Sequence, residues 1–189
     1  MTTKHKVKFI VKDTHKYGKG VYAAEDIKKG TIIHVLDGKR TTLTALVNRI
    51  VSGKEFLDDP FQIGRRTYLD LNEISRTFNH SCDPTGGIRK RSELFALRDI
   101  KKGEELTYDY SLTIAPTEWE MKCKCGTVKC RKTLGDVLSV PKKRRDEYRK
   151  MGALQRYMKK LLDEIEKGGY KMPAYEKNAL KKLKAAGKQ

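Results

Sequence analysis

The chain has 189 residues, with 42 Lys and Arg against 24 Asp and Glu, which gives a formal net charge of +18 at pH 7. This length suits one globular domain with a short appendage and leaves too little chain for two full domains. No apolar run approaches the roughly 18 residues of a membrane span, and the N-terminus carries charge where a signal peptide is apolar. Composition therefore predicts a soluble intracellular protein, cytoplasmic or associated with a nucleoid or chromatin, that makes no membrane contact and favours polyanions.

Short strands dominate the predicted first third of the chain. Residues 7–11 alternate apolar with basic side chains, and residues 20–24 and 31–36 are β-prone runs bounded by glycine. One helix is predicted over 42–51, where apolar residues recur at helical spacing. Residues 61–71 are predicted to be extended again.

The middle of the chain is also predicted to be β, and its last part helical. Residues 94–100 and 106–110 are strand candidates joined by a Lys-Lys-Gly turn. After Pro141 apolar residues recur every three or four positions up to Gly168, which predicts one long amphipathic helix with a basic opposite face. A shorter helix is predicted to begin at Pro173, because proline is favoured at the first helical position.

The four cysteines suggest a metal site. Three thiols lie within eight residues of one another, and the lack of an export signal argues against disulfides. Tetrahedral Zn²⁺ needs four ligands, which the chain can supply as Cys82, Cys123, Cys125 and Cys130. Buried free thiols or a redox pair are the alternatives. A closed site of four sulfurs leaves no position for water, so such a zinc ion would be structural.

One polar segment becomes informative only together with two later segments of the chain. Residues 76–84 read Arg-Thr-Phe-Asn-His-Ser-Cys-Asp-Pro, which alone predicts only a turn. Likewise, His80 alone is more typical of a structural histidine. The segment is followed by Gly-Glu-Glu-Leu-Thr-Tyr-Asp-Tyr at 103–110 and then by the cysteine loop. This order resembles the SET-domain family of protein-lysine methyltransferases, in which an Asn-His-Ser-Cys segment, a Glu-Leu-Thr-(Tyr/Phe)-Asp-Tyr segment and a Cys-rich post-SET loop occur in that order.

The resemblance covers about residues 14 to 134 and implies a fold. It includes Gly18-Lys19-Gly20, which is similar to the family's Gly-x-Gly near its N-terminal edge. The implied fold is mostly β with α additions, a SET (β-clip-like) fold of short curved sheets with a knotted active-site segment. We therefore expect a SET domain over 1–115, a post-SET zinc loop over 116–136 and a basic helical extension over 137–189.

The resemblance also implies a cofactor and its contacts. The methyl donor would be S-adenosylmethionine, released as S-adenosylhomocysteine. Glycines allow close approach of the backbone to the cofactor, while Asn and His supply hydrogen-bonding groups. The implied cofactor-binding residues are Gly18, Lys19, Gly20, Tyr68, Asn79 and His80. In relatives with a post-SET segment the cysteine of Asn-His-Ser-Cys completes the zinc site, which Cys82 can do here.

Two tyrosines are the implied catalytic residues. Tyr110 would act by orientation and electrostatics while a neutral lysine nitrogen attacks the sulfonium methyl group. Tyr108 occupies the position where the family carries Phe or Tyr, and its hydroxyl would limit the room for further methyl groups. We therefore expect mainly mono-methylation of a protein substrate, a histone or another chromatin-like basic protein. Trp119 and Leu134 are candidates for the cleft wall or for ordinary packing.

The C-terminal charge leaves two interpretations open. Residues 141–189 carry a net +10, either as a solvated face of helices that pack on the domain or as a docking element for DNA, a nucleoprotein or an acidic partner. A rival hypothesis for the whole chain is a non-catalytic, zinc-stapled protein that binds nucleic acid or chromatin on a SET scaffold. The presence of Asn79, His80, Tyr108 and Tyr110 favours the enzyme.

Overall fold

A computed structural model describes residues 7–14, 18–54, 60–117 and 119–187. The described strands are short and lie mostly in the first hundred residues: β1 (Phe9–Asp13), β2 (Lys19–Ala23), β3 (Ile32–Val35), β4 (Gly38–Thr42), β5 (Pro60–Gly64), β6 (Thr67–Leu71), β7 (Gly86–Arg89), β8 (Glu93–Ala96), β9 (Met121–Lys122) and β10 (Thr133–Leu134). The described α-helices are α1 (Leu43–Val51), α2 (Glu73–Arg76), α3 (Lys142–Lys150), α4 (Arg156–Glu166) and α5 (Ala174–Ala185).

All of these strands pair antiparallel, in small sheets of two or three. The sheets have the orders β1-β2, β3-β8-β7, β4-β6-β5 and β10-β9. The central strand β8 is buried along its whole length, because neighbours flank both its edges and the core covers its faces. Apolar side chains from the first three of these sheets share one core, to which Tyr108 also belongs. The predicted mostly β fold with α additions is confirmed.

The predicted helix over 42–51 is confirmed as α1. Thr42 caps it, since its hydroxyl accepts the Ala45 N–H at 3.3 Å. The buried face of α1 packs against Ala179 and Leu183 of α5, which begins directly after Pro173 as the sequence predicts. Within the described part of the chain, no helix combines the length and apolar character needed to cross a membrane.

The strand predictions for 94–100 and 106–110 were partly wrong. The first strand ends at Ala96, and the second segment forms no strand. Its backbone changes partners along its length: the Leu106 N–H donates to Val21 at 2.7 Å, whereas the Tyr108 N–H donates to Asn79 at 3.2 Å. A segment that changes neighbours every two residues cannot form a continuous ladder. The chain then turns at residues 110–113 in a 3-10 helix capped by the Asp109 carboxylate, which accepts the Ser111 N–H.

The single long helix predicted after Pro141 was also wrong, because α3 and α4 are separate. Gly152 adopts a φ of 69°, which ends α3, and the chain is then anchored by Gln155. The Gln155 side chain is buried and donates to the backbone carbonyls of Gln62 and Arg91. Both helices contribute to the same apolar cluster. The apolar spacing therefore continues across the break and conceals it.

The contacts at Gly38 generate a prediction about stability. A methyl group on Gly38 would lie 2.1 Å from the Asp70 carbonyl oxygen on the paired strand β6, whereas one on Gly64 would meet nothing closer than Thr67 at 3.8 Å. We expect Gly38→Ala to lower the free energy of unfolding by about 1–3 kcal/mol. The matched Gly64→Ala should change it by less than about 1 kcal/mol. Urea unfolding measures both, and equal stability of the two variants would contradict this account.

Candidate active site

Tyr108 and Tyr110 lie side by side in one cavity. Their ring centroids are 4.8 Å apart and the rings are tilted by 45°. Tyr108 is buried, and Tyr110 is half-buried at the start of the 3-10 turn. The cavity has a volume of about 140 Å³, and its other walls are formed by Pro60, Phe61, Leu71, Ser75, Arg76, Thr113, Ile114 and Trp119. The structure thus brings together the two tyrosines and the tryptophan that the sequence singled out, whereas Leu134 is buried elsewhere.

The Tyr110 hydroxyl has a defined position. It donates to the backbone carbonyl of the buried Phe78 at 2.8 Å. Phe78 directly precedes Asn79, whose own carbonyl accepts the Tyr108 N–H at 3.2 Å. The tyrosine segment and the Asn-His segment are therefore held together by both main-chain and side-chain hydrogen bonds.

Tyr108 is a neutral phenol in this site. Burial raises the pKa of Tyr108 well above its usual range, and the neighbouring Tyr110 raises it further. The hydroxyl therefore keeps its proton at physiological pH. Tyr108 can donate or accept a hydrogen bond but cannot serve as a base.

A second group of predicted residues meets at β2. The Asn79 side-chain amide donates to the Lys19 carbonyl at 3.1 Å and to Glu105 Oε1 at 2.8 Å. A Cβ on Gly20 would lie 2.7 Å from the same carboxylate oxygen, so this position accepts only glycine without displacement. Gly18 has a φ of 81°, which glycine adopts readily. The chain thereby forms a cradle of backbone, amide and carboxylate groups.

Glu105 belongs to this group, although the sequence analysis assigned no role to this first residue of the Glu-Leu-Thr-Tyr-Asp-Tyr motif. It is one of two adjacent glutamates before the Leu-Thr-Tyr-Asp-Tyr run. The chemistry of the cofactor could have pointed to such a residue. S-adenosylmethionine carries an α-ammonium group, which needs a hydrogen-bond acceptor such as a carboxylate. Its neighbour Glu104 instead pairs with Arg98 at 2.5 Å on the surface.

Tyr68 is not brought to this group. It lines a separate, mainly apolar cavity of about 190 Å³ between α1 and α5. Burial raises the pKa of Tyr68, and the nearby Glu176 raises it further. This cavity shares Pro60, Ile114 and Trp119 with the tyrosine cavity, so the two adjoin.

The cysteines form a cluster with His80. The ligand atoms of His80, Cys82, Cys123 and Cys125 all lie within 4.8 Å of one another. The Cys82 and Cys123 sulfurs are 3.7 Å apart, far beyond the roughly 2.05 Å of a disulfide bond. A zinc tetrahedron with bonds of about 2.3 Å to sulfur has edges of about 3.8 Å. The spacing therefore fits two sulfurs that share one zinc ion.

Cys130 is the one predicted ligand that this group does not include. It lies on the same loop, and its sulfur accepts the Lys132 N–H at 3.4 Å. The loop is closed by the pair β9 and β10 and by the Cys123 N–H, which donates to the Lys132 carbonyl at 2.7 Å. Lys132 adopts a φ of 67°, in the left-handed region that non-glycine residues seldom occupy.

His80 connects the cysteines to Tyr110. Its Nδ1 accepts the Tyr110 N–H at 3.2 Å, and its Nε2 lies 3.3 Å from the Cys82 sulfur. Burial lowers the pKa of His80 to about 4, although Asp109 opposes the shift. The ring is therefore neutral at pH 7. Because Nδ1 accepts, the proton lies on Nε2 and points towards Cys82. The structure places this side chain beside the cysteines, away from the cradle at β2.

The buried ion pair of Asp109 with Arg131 was not foreseen. Arg131 Nη1 and Nη2 each donate to an Asp109 carboxylate oxygen at 2.7 Å, and the Asp109 side chain has no exposed surface. A signal was present in the sequence, because the acid of a Tyr-Asp-Tyr run in a buried segment needs a cationic partner. The sequence could not indicate which of the 42 basic residues it would be.

Comparisons with known proteins show the family. The family model described as "SET domain" matches residues 18–111. The histone-lysine N-methyltransferase ASHH3 of Arabidopsis thaliana is 34% identical over 157 residues, which cover 76% of this chain and 43% of that protein. The human histone-lysine N-methyltransferase 2B is 32% identical over 130 residues, 62% of this chain and 5% of that protein. The chain thus spans less than half the length of these curated relatives.

Solved structures share the fold. The methyltransferase domain of human SETMAR is 28% identical with a TM-score of 0.55, and the match covers 69% of this chain and 59% of that one. KRYPTONITE, in a complex with mCHH DNA, an H3(1-15) peptide and SAH, is 25% identical with a TM-score of 0.56, covering 69% of this chain and 30% of that one. The chain therefore belongs to the SET-domain family, as the resemblance implied.

Proposed function

We propose that this chain transfers a methyl group from S-adenosylmethionine to the ε-amine of a lysine in a protein substrate, a histone or another chromatin-like basic protein. The observation that carries the proposal is the paired Tyr108 and Tyr110 in one cavity, with the Tyr110 hydroxyl fixed on the Phe78 carbonyl. Relatives named histone-lysine N-methyltransferases support it, as does a solved neighbour that holds SAH and a histone H3 peptide.

The residues at β2 fit the amino-acid part of the cofactor. The cradle at Gly18, Lys19, Gly20 and Asn79 has room only for backbone at its tightest point, and Glu105 adds a carboxylate that suits an ammonium group. When bound, the cofactor supplies an electrophilic methyl group on a sulfonium. Tyr68 lies apart from this cradle, and His80 adjoins it only through its neighbour Asn79. We therefore assign the cofactor contacts to the cradle residues in preference to Tyr68 and His80.

The tyrosine cavity suits the lysine amine. Its exposed wall is about equally polar and apolar and includes the cationic side chain of Arg76. Burial in this cavity and the nearby positive charge both disfavour an ammonium ion and lower the pKa of an amine that enters. The Tyr108 and Tyr110 hydroxyls then offer hydrogen bonds that orient the nitrogen lone pair towards the methyl group. In the proposed transfer the N–C bond would form as the C–S bond breaks, S-adenosylhomocysteine would leave, and the resulting methylammonium could then lose its extra proton to water. This chain's contribution is alignment and exclusion of solvent.

We propose a structural zinc ion on Cys82, Cys123, Cys125 and Cys130. The 3.7 Å separation of the Cys82 and Cys123 sulfurs supports a shared ion, and Cys130 lies on the same loop, where its sulfur and the Cys123 N–H both hydrogen-bond to Lys132. His80 would then donate from Nε2 to the Cys82 sulfur, as an outer group that steadies the ligand. Such an ion would fix the loop against the Asn-His segment.

The basic C-terminal region divides into two classes of residue. Two arginines of α3 form ion pairs within the protein: Arg144 pairs with Asp83, and Arg149 pairs with Asp163 and Glu166. Lysines such as Lys143 and Lys159 are instead exposed. A contact with DNA or a nucleoprotein would therefore fall to these lysines.

Removal of the Tyr110 hydroxyl should nearly abolish turnover. We expect Tyr110→Phe to lower the methylation rate on histone substrates by at least about 100-fold, because the aligned geometry is lost. Calorimetry should still show binding of S-adenosylmethionine. Tyr170→Phe, which removes a hydroxyl that binds Glu176, is the matched control and should remain active. If S-adenosylmethionine neither binds nor thermally stabilises the wild type, the non-catalytic binding hypothesis is favoured.

Tyr108 should limit the number of methyl groups added. We expect mono-methyl-lysine from the wild type, and di- or tri-methyl-lysine from Tyr108→Phe, because loss of the hydroxyl leaves room for a methylated amine. Product mass on one peptide, followed to completion, measures this. An unchanged methylation state would show that Tyr108 has no such role.

The metal ligands can be counted directly. We expect one zinc ion per chain, and X-ray absorption should show four sulfur ligands at about 2.3 Å. Three sulfurs and one nitrogen would instead make His80 a ligand and release Cys130. Cys123→Ser should lose the ion, whereas removal of the exposed Lys124 side chain by Lys124→Ala should not.

A further inference from the structure

Arg131 joins the cysteine loop to the tyrosine segment. It directly follows Cys130, and its guanidinium donates two hydrogen bonds to the carboxylate of Asp109, which lies between Tyr108 and Tyr110 in the sequence. Two parallel hydrogen bonds of 2.7 Å fix the direction of the carboxylate as well as its distance. Only arginine can make this contact, because lysine has no planar fork.

Two further contacts of Arg131 reach the same region. Its Nη2 donates to the Ser111 hydroxyl at 3.0 Å, inside the turn that begins at Tyr110. Its backbone N–H donates to the Cys82 sulfur at 3.3 Å. Arg131 therefore contacts Asp109 and Ser111, the two sequence neighbours of Tyr110. It also contacts Cys82, which joins the loop to the Asn-His segment.

The C-terminal helix α3 encloses this contact. Tyr148 of α3 is buried near the ion pair, and Arg144 lies over its ring at 5.0 Å. Arg144 also pairs with Asp83, one residue after Cys82. The helix thus contributes to the exclusion of water from the pair, which strengthens the pair and makes its geometry less variable.

Stability alone is a weak explanation for such a pair. Removing two charges from water costs about as much as their attraction returns, and apolar replacements of buried pairs are often neutral or stabilising. What an apolar replacement cannot supply is a fixed direction. The neighbours of Asp109 in the chain are the two tyrosines whose orientation the reaction would need.

We infer that Arg131 is a positioning residue for methyl transfer. Through its contact with Asp109, the ordered cysteine loop fixes the orientation of Tyr108 and Tyr110. This inference rests on the proposed function. The metal loop then serves the chemistry as well as the fold, since loosening the loop at Arg131 would release the tyrosines without unfolding the domain.

The test compares three variants of the full chain. Arg131→Lys keeps the charge and loses the fork. The double variant Arg131→Met/Asp109→Asn removes both charges, so that none is left buried and unpaired. Lys129→Met is the matched control, because Lys129 lies in the same loop and pairs with Asp83 at 3.0 Å with both side chains about half exposed. For each, kcat, peptide KM, zinc content and melting temperature are measured with S-adenosylmethionine and a histone peptide.

We expect Arg131→Lys to lower kcat about 10–100-fold while peptide KM and zinc content change less than about twofold. The double variant should recover thermal stability but not kcat, and Lys129→Met should match the wild type. The inference is overturned if kcat falls only in proportion to the zinc-free or unfolded fraction. It is also overturned if the double variant regains kcat together with its stability.

A second readout separates this inference from the proposed function. If the wild type transfers no methyl group, the proposed function fails, and ¹⁹F NMR of fluorotyrosine-labelled protein decides on Arg131. The Tyr108 and Tyr110 signals, assigned with the Tyr→Phe variants, should shift or broaden in Arg131→Lys and not in Lys129→Met. Unchanged signals in both would mean that Arg131 does not position the tyrosines.

Discussion

The backbone of residues 105–110 must find partners in several separate parts of the chain, and the geometry of the site depends on how it does so. Its amides and carbonyls are satisfied in turn by Val21, by Gly86 and by residues 79–81. Buried polar groups of the main chain carry a high cost when unpaired, so each of these contacts is required. Meeting them brings the cradle at β2, the Asn-His segment and the tyrosines to one place, although they lie in separate parts of the sequence.

The cysteine loop and the C-terminal helices cover the part of the tyrosine segment that the sheets leave exposed. The sheets supply a core that includes Tyr108 but only half covers Tyr110. The loop adds Cys123 and Arg131, which both contact Cys82 of the Asn-His segment, and α3 packs over the ion pair. A small domain with strands of at most five residues gains order in this way from the cysteine cluster and from charge pairing, where a larger protein would use more apolar surface.

Motifs predicted the cluster of tyrosines, asparagine and cysteines, because each motif keeps its residue types at fixed spacing. Periodicity predicted α1 but not the break at Gly152, since α3 and α4 face one core and the apolar spacing does not change. Gln155 and Arg131 were missed for a shared reason: their partners are 93 and 22 residues away, and a side chain that finds a distant carbonyl or carboxylate leaves no local pattern. Tyr68 was placed by its motif position alone, and the fold turns it towards α5.

The Asp109–Arg131 pair also bears on charge within the proposed reaction. A lysine amine must lose its proton before it can attack, and an unpaired carboxylate beside it would favour the ammonium form and raise its pKa. Asp109 lies between the two tyrosines in sequence, yet its charge is cancelled by a guanidinium at 2.7 Å. Glu105 lies at the cradle, where the proposed cofactor would bring its ammonium group. In the proposed reaction the two acidic groups would therefore have separate roles: Glu105 would hold a cation that stays charged, whereas the charge of Asp109 is balanced by Arg131 where the lysine amine must become neutral.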